Sequence, residues 1–212
     1  MMTTELYTFL FEAFTIVSVS TLLAIKFKFL PLKFSYTCLI FLVILSAALT
    51  WYSQPTWREL GMMMPSLTEI GIYMLMTVIC GLVILYLNKH FYHGKPANIF
   101  IGGQALIVFY AIISAPAQEF LFRSFVYYSL AESQALSFIS MVGVSTALFW
   151  IAHLVFDDLN LMQGTFFMGL IWSVIYFFIP NLPLVSLSHA VIGVLAFQQG
   201  IITRRSILGD VI

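Results

Sequence analysis

Long apolar runs alternate with short polar breaks along this chain, and the runs are apolar on every side rather than along one stripe. Helices of that kind belong inside a large core or a bilayer, not on a protein surface. A helix that spans a bilayer needs about 20 mostly apolar residues, and somewhat fewer where neighbours bury it. By that measure the pattern predicts eight helical stretches, at roughly residues 6–25, 36–51, 69–87, 99–114, 116–130, 135–156, 161–179 and 184–202. Lys26, Lys28 and Lys33 close the first stretch, Gln54, Pro55 and Arg58 the second, and Lys89, His90, His93 and Lys95 the third. Pro116 divides the fourth from the fifth, Asp157 and Asp158 close the sixth, and Pro180, Asn181, Leu182 and Pro183 close the seventh.

The expected fold is therefore all-α: a polytopic membrane helix bundle of about seven to eight transmembrane helices, forming a single integral membrane domain over residues 1–212. No linker or internal repeat divides it. The first apolar stretch is too long for a secretory signal, and no small-residue cleavage site follows it, so it reads as a span.

Composition sharpens this picture. Of 212 residues, 61% are hydrophobic and 8% charged, nine basic and nine acidic. A soluble domain carries roughly 25% charged residues. The mean hydropathy of +1.01 agrees. Soluble enzymes and disordered chains are excluded, and a net charge of zero offers no basic face to a nucleic acid. Cys38 and Cys80 lie inside apolar runs and read as small core residues rather than a disulfide or metal pair. Met62, Met63 and Met64 border a loop beside Pro65 and read as interfacial packing rather than a copper site.

Charge also sets an expected orientation. Five lysines (Lys26, Lys28, Lys33, Lys89 and Lys95) fall in two breaks on one side, against Arg58 in the break between them. The positive-inside rule makes the lysine side cytoplasmic and the N-terminus external. Eight crossings would then leave Arg204 and Arg205 outside, which the rule disfavours. The short fifth stretch is the natural candidate for one that does not cross.

Candidate chemistry emerges when polar residues are sorted by depth. Glu12 lies within two turns of the start of its span and is placed to reach the interface. Glu119 and Arg123 have apolar sequence on both sides, and an ionised group at mid-bilayer costs at least ~2.5–3.5 kcal/mol. Four residues apart on a helix, they share a face and can neutralise each other. His90 and His93 sit among polar neighbours, whereas His153 and His189 sit in apolar helices. Polar groups in a bundle face its interior, so three helices would converge Gln118, Glu119, Arg123, His153 and His189 on one cavity. No His-Glu-x-x-His motif is present, so a zincin-like metalloprotease is not indicated. No repeat of broken helices suggests a transporter.

Gln118-Glu119-Phe120-Leu121-Phe122-Arg123, preceded by Ala115-Pro116, resembles the Glu-Glu-x-x-x-Arg motif of the CPBP family, which includes the type II CAAX prenyl proteases and bacteriocin-processing enzymes. Phe149 to His153 matches that family's Phe-x-x-x-His motif, and His189 to Gly193 matches in part a third motif, His-x-x-x-Asn. The resemblance covers roughly residues 99–202.

The resemblance implies a glutamic-type intramembrane endopeptidase. The residue at position 118 and His153 would activate a water molecule for attack on a peptide carbonyl. Glu119 and Arg123 would support and orient the site. His189, with the residue at 193, would stabilise the oxyanion, and Phe149 would support the second motif. Two positions depart from the family pattern. Gln118 stands where the general base should be, and an amide cannot accept a proton at any useful pH. The chain therefore reads as an inactivated form, either a diverged member or a Glu→Gln variant made to trap substrate, and the intact remainder of the motif favours the variant. Gly193 stands where an amide side chain is common and removes one oxyanion donor.

The expected partners are membrane lipids and a protein or peptide substrate, such as a C-terminal tail or a secreted peptide precursor, with no nucleic acid. The expected location is a bacterial or archaeal cell membrane. No cofactor is expected. Two histidines and a carboxylate suffice in principle for zinc, but the family resemblance does not favour it. The alternative function is a non-catalytic peptide binder in an immunity or scaffold role.

Overall fold

A computed structural model of the chain describes residues 4–31, 34–92, 104–132, 137–156 and 158–201. Lys33, His93, Lys95, Ile99, Ala135, Asp157, Ile202, Arg204 and Arg205 lie outside the described residues. Among the described residues the protein is helical throughout, with turns and short loops between seven helices and no strand. Helix α1 is Thr4–Lys26, α2 is Phe34–Ser53, and α3 is Leu67–Leu87, prolonged by a π-helical turn at Asn88–Tyr92. The exposed His90 belongs to that turn and packs on Tyr86, 4.5 Å between ring centres, so the helix outlasts the apolar run.

Helix α4 replaces two expected stretches with one. Its parts run on without a break over 104–132: α-helix at Gln104–Phe109, a π turn at Tyr110–Ser114, α-helix at Ala115–Glu119, a second π turn at Phe120–Phe125, and α-helix at Val126–Glu132. Pro116 was expected to end a helix here. In a regular helix its ring would strike the carbonyl four residues back, and its missing N–H would orphan that carbonyl. The π turn ahead of it changes the ladder, with Ala115 N–H donating to Tyr110 O, five residues back. The helix continues through the proline as a result. Seven helices thus stand among the described residues in place of the eight expected stretches.

The remaining helices are α5 at Phe138–His153, followed by a 3-10 turn at Leu154–Phe156, α6 at Leu159–Phe178, and α7 at Leu182–Gln198. Their starts are written in the sequence. Ser66 and Glu69 form a reciprocal capping box on α3, and Ser137, Asp158 and Asn181 each accept a backbone N–H three residues on. Four spans (Thr8–Lys26, Leu67–Phe91, Phe138–Phe156 and Leu159–Phe178) are long and apolar enough to cross a membrane, and Thr37–Ser53 and Leu182–Gln198 are shorter apolar helices. Ile44, Leu75, Ile112 and Ile139 are among many large apolar side chains on the outside of the bundle. The protein is an integral membrane protein.

The interior carries Phe125, Phe149, Trp172, Tyr176 and Val185, with small hydroxyls closing polar gaps between helices. Ser145 donates to Phe122 O at 2.7 Å, supplying a donor to a carbonyl of the second π turn. The loop between α2 and α3 is tied down at its Gly61 end. Ser124 and Tyr176 donate to Leu60 O, Leu182 N–H donates to Gly61 O, and Asn181 donates to Met63 O. Gly61 has φ +66, and a Cβ there would meet the Tyr176 hydroxyl, so glycine is required on both counts. Met62 packs against the core, whereas Met64 is fully outside it. Cys80 is buried and Cys38 partly so; both are free thiols.

Candidate active site

The two π turns of α4 bracket the short segment Ala115–Glu119, which presents Gln118 and Glu119 in different directions. Tyr110, Ser114 and Gln118 follow one another at four-residue steps and line one cavity. Gln118 is half-buried and donates through Nε2 to Ser114 Oγ at 3.0 Å, while its Oε1 is buried with no hydrogen-bond partner among the described residues. Glu119 and Arg123 point into the bundle and are wholly buried.

Those two form the ion pair that their spacing suggests. Arg123 Nη1 donates to Glu119 Oε1 at 3.3 Å, and Nε lies 3.2 Å from Oε2 without the alignment of a hydrogen bond. The far side of the guanidinium is also used: Nη2 donates to Gly169 O at 3.0 Å, and the plane lies 4.3 Å from the centre of the Phe149 ring. Arginine suits this place because its planar fork reaches a carboxylate, a carbonyl and an aromatic face at once. Gly169 is as particular. A Cβ there would come 2.8 Å from Phe149 Cδ1.

His189 arrives from α7 and joins the same carboxylate. Its Nδ1 lies 2.6 Å from Glu119 Oε1, and because an ionised carboxylate only accepts, Nδ1 carries the proton. The imidazole is stacked on Trp172 at 4.5 Å and 30°, with Phe149 and Tyr110 meeting it edge-on. Trp172 is itself fixed, its Nε1 donating to Ser188 Oγ at 3.0 Å, and Ser188 Oγ also accepts from Thr77. Glu119, Arg123 and His189 thus form one buried network whose geometry is set from five helices, α3 to α7.

His153 is the last residue of α5. Its Nδ1 is 2.7 Å from Phe149 O, a carbonyl that can only accept, so Nδ1 carries a proton and, in the neutral imidazole, Nε2 keeps its lone pair. The Phe149 ring lies 4.5 Å from the centre of His153 and 5.6 Å from that of His189, which bounds the separation of the imidazoles by the sum of the two.

Gln118, His153 and His189 all line a cavity of about 690 Å³. Its wall is apolar over most of its extent, with Leu22, Leu42, Ile84, Leu148 and Ile171 contributed by five different helices. Thr15, Ser18, Asn160, Gln163 and Thr165 also line it, and charges and dipoles facing so apolar a wall act at low dielectric. Among the described residues no group of three or more His, Cys, Asp or Glu side chains is placed to hold a metal ion. Gly193 is packed against the Tyr110 phenol.

Several site residues do not announce themselves in the sequence. Tyr110 and Ser114 had one usable signal, their four-residue steps to Gln118. Gly169, Trp172 and Ser188 had none, because their partners lie 46, 16 and 111 residues away.

Against known protein families, residues 100–195 match the family described as type II CAAX prenyl endopeptidase Rce1-like. The matched segment holds all seven positions read from the motifs: Gln118, Glu119, Arg123, Phe149, His153, His189 and Gly193. That family is one of intramembrane proteases, hydrolases of protein or peptide substrates. No curated protein and no solved structure matches the chain.

Proposed function

We propose that the cavity is the substrate site of an intramembrane endopeptidase of the CPBP type, and that Gln118 holds this chain in a form that binds a peptide without cleaving it. The observation that supports the proposal is that Gln118, His153 and His189, from three helices, all line one largely apolar cavity. The substrate is an apolar segment of a membrane-associated protein, such as a C-terminal tail or a secreted peptide precursor. The short polar breaks between spans suit processing within a bacterial or archaeal cell membrane, among its lipids. The reaction as proposed uses no cofactor.

The chemistry follows from the side chains. Peptide hydrolysis in a poorly solvated cavity needs a group that takes a proton from water and another that orients it. His153 Nε2, with its lone pair free, is an acceptor for a water hydrogen. A carboxylate at position 118 would take the proton; the amide of Gln118 cannot. The Glu119–Arg123 pair holds His189 in place and keeps a charged network beneath the reacting centre.

A second reading rests on Gln118 itself. Its Nε2 donates to Ser114 Oγ while Oε1 has no partner among the described residues, an acceptor for a peptide N–H that a site devoted to binding alone, in an immunity or scaffold role, would use. One experiment separates the two. The chain, its Gln118→Glu form, and that form carrying His153→Ala are reconstituted in liposomes with a library of membrane-anchored apolar peptides. New peptide termini are then read by mass spectrometry. The protease reading expects cleavage by the Gln118→Glu form alone. Binding in all three forms with cleavage in none supports the non-catalytic role.

A further inference from the structure

Gly193 leaves the site without the amide side chain that the third motif commonly provides, and the structure shows what occupies that space. A Cβ built on Gly193 runs into the phenol of Tyr110, meeting its hydroxyl and the ring carbons next to it. The room for a side chain at 193 on α7 is therefore filled by a hydroxyl delivered from α4, out of the π turn Tyr110–Ser114. Tyr110 lines the same cavity as Gln118 and His153. Its ring is held edge-on by His189 at 5.9 Å and by Phe197 at 5.3 Å, so the phenol has little freedom to swing away.

We infer that the Tyr110 hydroxyl is the oxyanion donor of the hydrolysis proposed above, standing in for the side chain that Gly193 lacks; the inference rests on that reading of the cavity. In the Gln118→Glu form the carboxylate removes a proton from water as the water oxygen bonds to the scissile carbonyl carbon. The C=O π pair moves onto the carbonyl oxygen. Collapse of this tetrahedral oxyanion breaks the C–N bond, and the leaving nitrogen takes the proton held by the carboxylate, giving an acid and an amine. A fixed donor aimed at the developing oxyanion is the largest single contribution in such reactions. His189 has its Nδ1 engaged by Glu119, so it can donate to the oxyanion only as an imidazolium, through Nε2. Tyr110 donates while neutral, which suits a low-dielectric chamber.

The test uses the full chain in liposomes. In the Gln118→Glu background, Tyr110→Phe keeps the ring contacts and removes only the hydroxyl, and kcat should fall about 10²–10³-fold with KM unchanged. Tyr110→Ala combined with Gly193→Asn moves a donor back to α7 and should recover at least about tenfold over Tyr110→Ala alone, a rescue that a packing role would not give. A kcat for Tyr110→Phe within about twofold of its parent overturns the inference. A binding measurement on the unaltered chain stands apart from turnover. A Leu-Ala phosphinic pseudopeptide, with its anionic tetrahedral centre, should bind at least about tenfold more weakly to Tyr110→Phe, whereas the Leu-Ala peptide amide should bind equally to both. Equal loss on both compounds, or loss on neither, overturns the inference. An inactive Gln118→Glu form that keeps this selectivity defeats the water-activation reading and leaves Tyr110 as the anion donor. An active form indifferent to Tyr110→Phe defeats only the inference.

Discussion

Arg123→Ala probes the network that holds the site together. The guanidinium is wholly buried and faces Glu119 Oε1 at 3.3 Å, Glu119 Oε2 at 3.2 Å and Gly169 O at 3.0 Å, hydrogen-bonding the first and the last. Its loss leaves Glu119 Oε2 without a cation and Gly169 O without its side-chain donor, and opens a gap under the Phe149 ring. Breaking a buried pair by removing one partner costs ~3–5 kcal/mol. His189 still donates to Oε1, which places the expected loss near the lower end, about 3 kcal/mol. For a chain of about this size each kcal/mol moves Tm by roughly 2–4 °C, so a fall of about 6–12 °C is expected. Arg123→Lys keeps the charge without the planar fork and should lose an intermediate amount. Combining Arg123→Met with Glu119→Gln removes both charges and should cost less than the two single changes together. The assay is thermal unfolding in detergent at one fixed heating rate, followed by tryptophan fluorescence. An Arg123→Ala Tm within about 2 °C of the parent would refute the reasoning.

Three further changes test how the aromatic frame positions the imidazoles. Gly169→Val places methyls against Phe149 Cδ1, already 2.8 Å from a bare Cβ, and should cost ~1–3 kcal/mol of stability while abolishing binding of an apolar peptide, because Phe149 touches both His153 and His189; an unchanged Tm and affinity would contradict this. Ser188→Ala strands the buried Trp172 N–H and should cost ~1–3 kcal/mol, whereas Thr77→Ala leaves that bond in place and should cost less; equal Tm values for the two variants would count against Ser188 as the anchor of the His189 stack.

Much of the architecture was readable because membrane helices leave a coarse signal. Apolar runs and lysine-marked breaks are local features, and the helices follow them, while Asp158 and Asn181, read as closing one helix, cap the start of the next. The division at Pro116 was misleading for a physical reason. A π turn absorbs the proline, and no local pattern distinguishes a helix that breaks from one that widens. The Glu119–Arg123 pair was legible from its four-residue spacing and its depth. The bond from Glu119 to His189, 70 residues on, was not, and neither was Tyr110 filling the place beside Gly193. Both depend on how α7 docks against α4, which is a property of packing rather than of either helix alone. Of the five residues expected on one cavity, Gln118, His153 and His189 line it, whereas Glu119 and Arg123 are not among its lining residues and are buried between the helices.

The central claim is that one atom at position 118 separates a binding site from a hydrolytic one. The most direct measurement is the single-turnover cleavage rate of one bound peptide by the chain and by its Gln118→Glu form, in the same liposomes and with binding of the peptide measured in both. The account predicts equal binding and a rate for Gln118→Glu higher by about 10²–10⁴-fold, the usual contribution of a general base. Equal rates in the two forms would contradict it, because the residue at 118 would then play no part in activating water.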